Sequence, residues 1–216
     1  MIYIFQPDRY ILQQQIKKFS HYITGKCLDV GAGHYNRYGK LFNVSQMIRM
    51  DVAHTDTVDL VGSVDKIPLD SDSVDSIVCT QVFEHIQYPD KGAQEIARVL
   101  KKGGYALVTV PQMNELHEEP HDYFRYTSFG LKRIFEDAGF SIVEMDQRGG
   151  FFAVVTQIVL RYCMDSFRLH EKPFISRVFG KFALVVGKIS LKLDTCNSSV
   201  ANKKHAIGWA CVIQKK

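Results

Sequence analysis

His117-Glu118-Glu119-Pro120-His121 places two imidazoles and two carboxylates within five residues, in the spelling H-E-x-x-H. On a helix this spacing sets both histidines on one face for zinc, with the glutamate as a general base. Pro120 lacks a backbone donor and disfavours helical geometry at Glu119, which argues against a zinc protease. Three readings stay open. His117, Glu118 and His121 could form a non-helical divalent-cation site. The polar side chains could instead cap a helix at Thr127 and pair with Arg125. In the third reading His121 is a general base, and Asp122 orients its imidazole or shares contacts with an acceptor. This substrate-side role is preferred, and no metal is assigned. Tyr123, Phe124 and Tyr126 add flat apolar faces of the kind that stack on sugar rings or other planar acceptors.

A second group lies upstream. Leu28-Asp29-Val30-Gly31-Ala32-Gly33 sets two glycines at a strand-to-helix turn, and Asp51 stands eighteen residues after Gly33. Glycines let the backbone approach a ligand, and a carboxylate at the next strand end can take both hydroxyls of a ribose. The dinucleotide fingerprint G-x-G-x-x-G would need glycine where Asn36 stands, which weakens the case for a bound pyrophosphate. Asp29 repels phosphate but suits a cationic amino-acid moiety.

The elements that would carry these groups alternate. Strands are expected over 26–30, 47–51, 58–61, 74–79, 105–110 and 140–145. Helices are expected over 10–22 and 35–41, through 94–100 to a stop at Gly103-Gly104, and from a Thr127 cap to Ala138. Such alternation predicts an α/β fold with a parallel sheet and helices on both faces. From Gly149 to Leu193 the rhythm changes to two helices split near Pro173, then a polar loop over 194–205 and a last strand over 206–214. The expected organisation is a core over 1–148, a helical insert and polar loop over 149–205, and a final core strand over 206–216.

The ordered segments Val58 to Leu69, Ser73 to Val78, Phe83-Glu84-His85-Ile86 and Glu95 to Gly104 come after the glycine loop. Together with it they resemble the class I S-adenosylmethionine-dependent methyltransferases (the type 11 domain), over roughly residues 25–145. The resemblance implies a Rossmann-like, seven-stranded, mostly parallel sheet whose last strand is antiparallel, and S-adenosylmethionine as cofactor. By position, Asp29, Gly31 and Gly33 would line the methionine end and Asp51 would hold the ribose. Ser63 and Val64 would sit at the adenine edge, and Gln81 at the sulfonium. Ser63 stands where relatives usually carry Asp, so either Ser63 substitutes or Asp65 reaches in. His34-Tyr35 replaces the common third glycine. His85 falls in a family motif, as a packing or a catalytic histidine. Pro120 to Thr127, with Gly130-Leu131 and Ala138-Gly139-Phe140, is similar to methyltransferases of bacterial surface-polysaccharide pathways, which implies a glycan or lipid-linked sugar acceptor.

The totals agree with one domain plus an appendage: 216 residues, formal charge +4. Residues 166–193 hold six Lys/Arg against Glu171 alone, so the basic character is local. Arg177, Lys181, Lys188 and Lys192 form one helical stripe, with Phe179, Phe182, Val186, Ile189 and Leu193 opposite. This helix could cover the core, lie on an anionic membrane through 151–193, or form a dimer interface. Five cysteines without a C-x-x-C pair, and no signal-peptide pattern at the N-terminus, fit a cytoplasmic protein, peripheral to the membrane if the helix docks there. Nucleic acid is not an expected partner, and oligomeric state is not legible. The favoured activity is O-methylation of a sugar or lipid-linked glycan. The alternatives are methylation of a small, lipophilic, quinone-like metabolite and cofactor binding without catalysis.

Overall fold

The computed structural model describes residues 4–35 and 38–216. In chain order the elements are α1 (Pro7–Phe19), β1 (Lys26–Val30), β2 (Gln46–Asp51), β3 (Leu60–Val61), β4 (Val74–Thr80), α2 (Pro89–Val99), β5 (Leu100–Pro111), α3 (Ser128–Asp137), β6 (Phe140–Arg148), α4 (Phe151–Ser166), α5 (Pro173–Cys196), α6 (Val200–Lys203) and β7 (Gly208–Lys215). Two compact units emerge. A sheet unit holds residues 15–111, 116–146 and 209–216, and a helical unit holds 1–14, 112–115 and 147–208.

Seven strands form one mostly parallel sheet in the order β3-β2-β1-β4-β5-β7-β6, flanked by helices. Its central strands are near-continuous apolar runs, as both-face burial demands: Cys27, Leu28 and Val30 in β1, Ile77 to Cys79 in β4, Ala106 to Val108 in β5. Cys27, Cys79 and Cys211 are buried there, and burial pushes the Cys27 and Cys211 thiols up to about 12. They act as small hydrophobes. The strand order reverses between β1 and β4, where Val30 pairs with Met50 on one side and Cys79 on the other. Open α/β sheets bind ligands outside the carboxyl ends of the strands at such a switch point.

Three expected elements differ. Of the helix expected over 35–41, Asn36 and Arg37 lie outside the described residues. The segment beyond them forms only a 3-10 turn, Gly39–Leu41, that buries no residue and so lacks the apolar face a longer helix needs. Gly103-Gly104 does not end a helix. α2 stops at Val99, and the glycines sit where the β4–β5 register jumps from Val74–Leu100 to Ser76–Tyr105. The loop expected over 194–205 is partly helical, because α5 runs on to Cys196 and the Ser199 side chain caps α6 by accepting from Asn202 N at 3.2 Å.

In the helical unit α4 packs on α5. Gly150 at the start of α4 offers no side-chain cap. Asp194 of α5 supplies one instead, its carboxylate accepting from the backbone N–H groups of Gly150 (2.8 Å), Phe152 (3.0 Å) and Ala153 (2.9 Å). Asn202 Oδ1 takes the Phe151 N–H at 2.9 Å. One carboxylate thus satisfies three donors that a helix start leaves without an intrahelical partner. Asp194→Ala is expected to destabilise this unit by about 2 kcal/mol or more, read as a lowered denaturation midpoint. Asp194→Asn, which keeps acceptor oxygen at the site, should recover part of the loss.

Candidate active site

The seven residues expected to hold a cofactor converge on one sheet edge. Asp29, Gly31 and Gly33 lie at the end of β1, Asp51 at the end of β2, Ser63 and Val64 just past β3, and Gln81 just past β4. Gly31 (φ +69°) and Gly33 (φ +59°) use the left-handed conformation that glycine adopts without strain. The Gly31 and Ala32 N–H groups donate to Met50 O at 2.9 and 3.1 Å, which folds the loop across the end of β2. A Cβ on Gly31 would stand 2.2 Å from Val82 Cγ2, whereas one on Gly33 would meet no atom of the described residues within 4 Å. Among the described residues the backbone at Gly33 therefore borders open space. Asp51 Oδ2 accepts from Gly33 N at 2.9 Å and Oδ1 from Ala53 N at 3.0 Å, so its carboxylate is held against the loop.

Arg49, within β2, fixes the same loop from beneath. Its buried guanidinium donates to the carbonyls of Ala32 (3.0 Å), Gly33 (3.1 Å) and Thr57. Burial pushes the Asp29 carboxyl up to about 6; Arg49 opposes that shift and Asp51 adds to it. Sequence reading passed over Arg49. Its signal was a lone arginine in an otherwise apolar strand. Val64 turns its side chain into the core, and the Ser63 carbonyl accepts from Lys66 N at 3.0 Å. Gln81 has a positive φ (56°) and donates through N to Thr109 O (2.9 Å) and through Nε2 to Thr109 Oγ1 (3.2 Å). These bonds tie the ends of β4 and β5 together.

The H-E-x-x-H segment is not helical. The Tyr123 and Phe124 N–H groups donate to Glu84 O at 2.8 and 3.2 Å, and the Tyr126 hydroxyl donates to Phe83 O at 2.8 Å. His85 Nδ1 lies 2.7 Å from His121 O; a carbonyl only accepts, so Nδ1 carries the proton. The Asp122 side chain is buried and takes both Arg125 amino groups at 2.6 and 2.7 Å, plus His117 N at 3.0 Å. Those bonds hold its carboxyl down at about 2, with Arg125 the largest cause. The Asp122 carboxylate therefore faces Arg125 rather than the His121 ring. His121 is exposed, with Nδ1 3.1 Å from the Tyr123 hydroxyl. His117, Glu118 and His121 do not gather as a ligand set; among the described residues Glu84, His85 and His117 do, with ligand atoms within 4.8 Å of one another. A carboxylate with two imidazoles could hold zinc or a similar divalent ion.

An open α/β sheet with a glycine turn and an acidic residue at its switch point defines a protein that binds an adenosine-containing cofactor. Residues 28–108 match the family model described as a methyltransferase domain. That stretch of the chain is thus a methyltransferase domain, and S-adenosylmethionine is its cofactor. No curated protein matches its sequence. Solved structures with a similar fold include the cyclase SpnF, at 19% identity and TM-score 0.62, covering 96% of this chain and 80% of that one. A Galdieria sulphuraria protein provisionally named a sarcosine dimethylglycine methyltransferase has 17% identity and TM-score 0.60, covering 97% and 85%. Haemonchus contortus phosphoethanolamine N-methyltransferase 2, solved with S-adenosylmethionine, has 16% identity and TM-score 0.58, covering 97% and 56%. These likenesses establish the fold, which hosts more than one chemistry.

Gly31→Ala is expected to lower stability by more than about 1 kcal/mol, because it adds a clash with Val82 to a strained φ. Gly33→Ala, which meets only the backbone strain, should lose less. Paired denaturant melts check the order.

Proposed function

We propose that the protein transfers a methyl group from S-adenosylmethionine to an oxygen of a sugar or lipid-linked glycan acceptor, at the cytoplasmic side of a membrane. The carrying observation is the anchored segment after β5. It displays His121, Tyr123 and Phe124 to solvent while backbone bonds to Glu84 and the Asp122–Arg125 pair fix its shape. Exposed aromatic faces beside an imidazole suit a sugar ring that must lose a hydroxyl proton.

The donor supplies an electrophilic methyl together with its own leaving group. The open space at Gly33 and the flanking carboxylates fit it. In this reading the Gly31 to Gly33 backbone and Asp29 receive the cationic methionine end. Asp51 receives the ribose hydroxyls, exchanging its hold on Gly33 and Ala53. Ser63 and the Val64 backbone meet the adenine, and Gln81 flanks the sulfonium. The acceptor oxygen forms its bond to the methyl carbon as the carbon–sulfur bond breaks, and its proton passes to the His121 imidazole. Asp122, held at about 2, is too weak a base for that step and acts by positioning the loop. Alignment of this kind is worth on the order of 7–11 kcal/mol, and a placed base roughly 10²–10⁴-fold.

A lipophilic acceptor, the second reading, draws on a cavity of about 470 Å³ in the helical unit, lined by Met113, Ile158 and Tyr162 with Arg161.

Two outcomes are expected. His121→Ala should lower turnover roughly 10²–10⁴-fold at every pH while leaving S-adenosylmethionine affinity in place; undiminished turnover would remove the base from the account. Screening nucleotide- and lipid-linked sugars for radiolabelled methyl uptake supplies the assay. Asp29 attracts a cation only when ionised, so cofactor affinity measured by calorimetry should rise as pH passes upward through about 6. In Asp29→Asn that dependence should flatten.

A further inference from the structure

Both long helices of the helical unit turn large apolar side chains outward. On α5 the buried positions are Ser176, Ala183, Gly187 and Ser190, a stripe of small residues. Gly187 lies against Phe5, where a Cβ would come within 2.4 Å of the ring. On the opposite side Val178, Phe182, Val185 and Ile189 are exposed, Phe182 at 57%. At about 100° per residue these four fall within about 60° of one another, the spacing of a single helical face. α4 repeats the arrangement: Val155, Ile158, Val159 and Tyr162 are exposed in i, i+3, i+4, i+7 order, Tyr162 at 71%. Apolar faces of this extent mark interaction surfaces. No helix among the described residues is long and apolar enough to cross a membrane.

The charge beside this surface identifies what it meets. Arg177, Lys181, Lys188 and Lys192 are exposed and form one stripe roughly 80° from the apolar face of α5. Among the described residues none of the four is ion-paired. Residues 151–196 hold seven Lys/Arg and three Asp/Glu, a surplus equal to the whole chain's +4. A second copy of the chain fits poorly, because lysine is depleted in interface cores and a two-fold contact would set like stripes side by side. An anionic lipid surface is complementary in both respects.

We propose that the outward faces of α4 and α5 dock on an anionic bilayer, α5 lying in the interface plane with its apolar face in the headgroup–acyl boundary and its lysine stems reaching back to the phosphates. This docking rests on the two helices and not on the acceptor, so it stands or falls separately from glycan methylation.

Flotation of the full chain with phosphatidylcholine vesicles, with and without phosphatidylglycerol, tests it. The protein should float with the anionic vesicles alone, and added salt should release it. Lys181→Glu and Lys188→Glu should each lower the bound fraction, on the order of tenfold in partition. Ile189→Asp, at an exposed position, should abolish flotation with helical circular dichroism and the denaturation midpoint unchanged, which shows that the helical unit stays folded. Protein left at the bottom with both vesicle types would overturn the proposal. So would equal binding to neutral vesicles, or a stable dimer in sedimentation that Ile189→Asp converts to monomer.

Discussion

The guanidinium of Arg49 donates to Ala32, Gly33 and Thr57 carbonyls from inside β2, and the glycine loop and the β2–β3 connection both take their positions from it. A buried cation needs partners, and here they are carbonyls that the left-handed glycines turn inward. The same charge limits how far burial raises Asp29. Loop geometry and site electrostatics therefore share one origin. Without Arg49 the loop would leave carbonyls buried without donors beside a carboxyl that could ionise only at higher pH.

The loop that leaves β5 is held by a different device. Glu84 and Phe83, just beyond β4, accept from the loop that leaves β5, while His85 donates back to His121 O. Gln81 bridges the same two strands through Thr109. Backbone and side-chain bonds together thus fasten the site across the switch point. His121, Tyr123 and Phe124 are left exposed, and on the proposed function these are the side chains that meet the acceptor.

Much of this was legible in the sequence, because it depends on local signals. The β1 bounds derive from an apolar run ending in glycine. The Thr127 cap and the split at Pro173 derive from side-chain chemistry at helix ends. The convergence of Asp29, Gly31, Gly33, Asp51 and Gln81 reflects their places at strand ends. What stayed hidden needs the third dimension. Asp122 and Arg125 are close in sequence, yet nothing in the spelling says that the carboxylate turns to Arg125 and His117 and not to the His121 imidazole. Helical spacing placed a basic stripe on α5 but could not say which apolar residues face the protein. Phe179 and Val186 are half-buried, Phe182 and Ile189 are exposed, and the small residues Ala183 and Gly187 take the inner positions. Hydrophobicity alone ranks those small residues last for burial, whereas close helix approach ranks them first.

The central claim is that the carboxyl ends of β1 and β2 form a site for S-adenosylmethionine, with Asp51 on its ribose. Calorimetric titration of the intact protein with S-adenosylmethionine, repeated on Asp51→Ala, tests it most directly. The account predicts saturable one-to-one binding that weakens at least tenfold in the variant. No binding, or binding that Asp51→Ala leaves untouched, would contradict it.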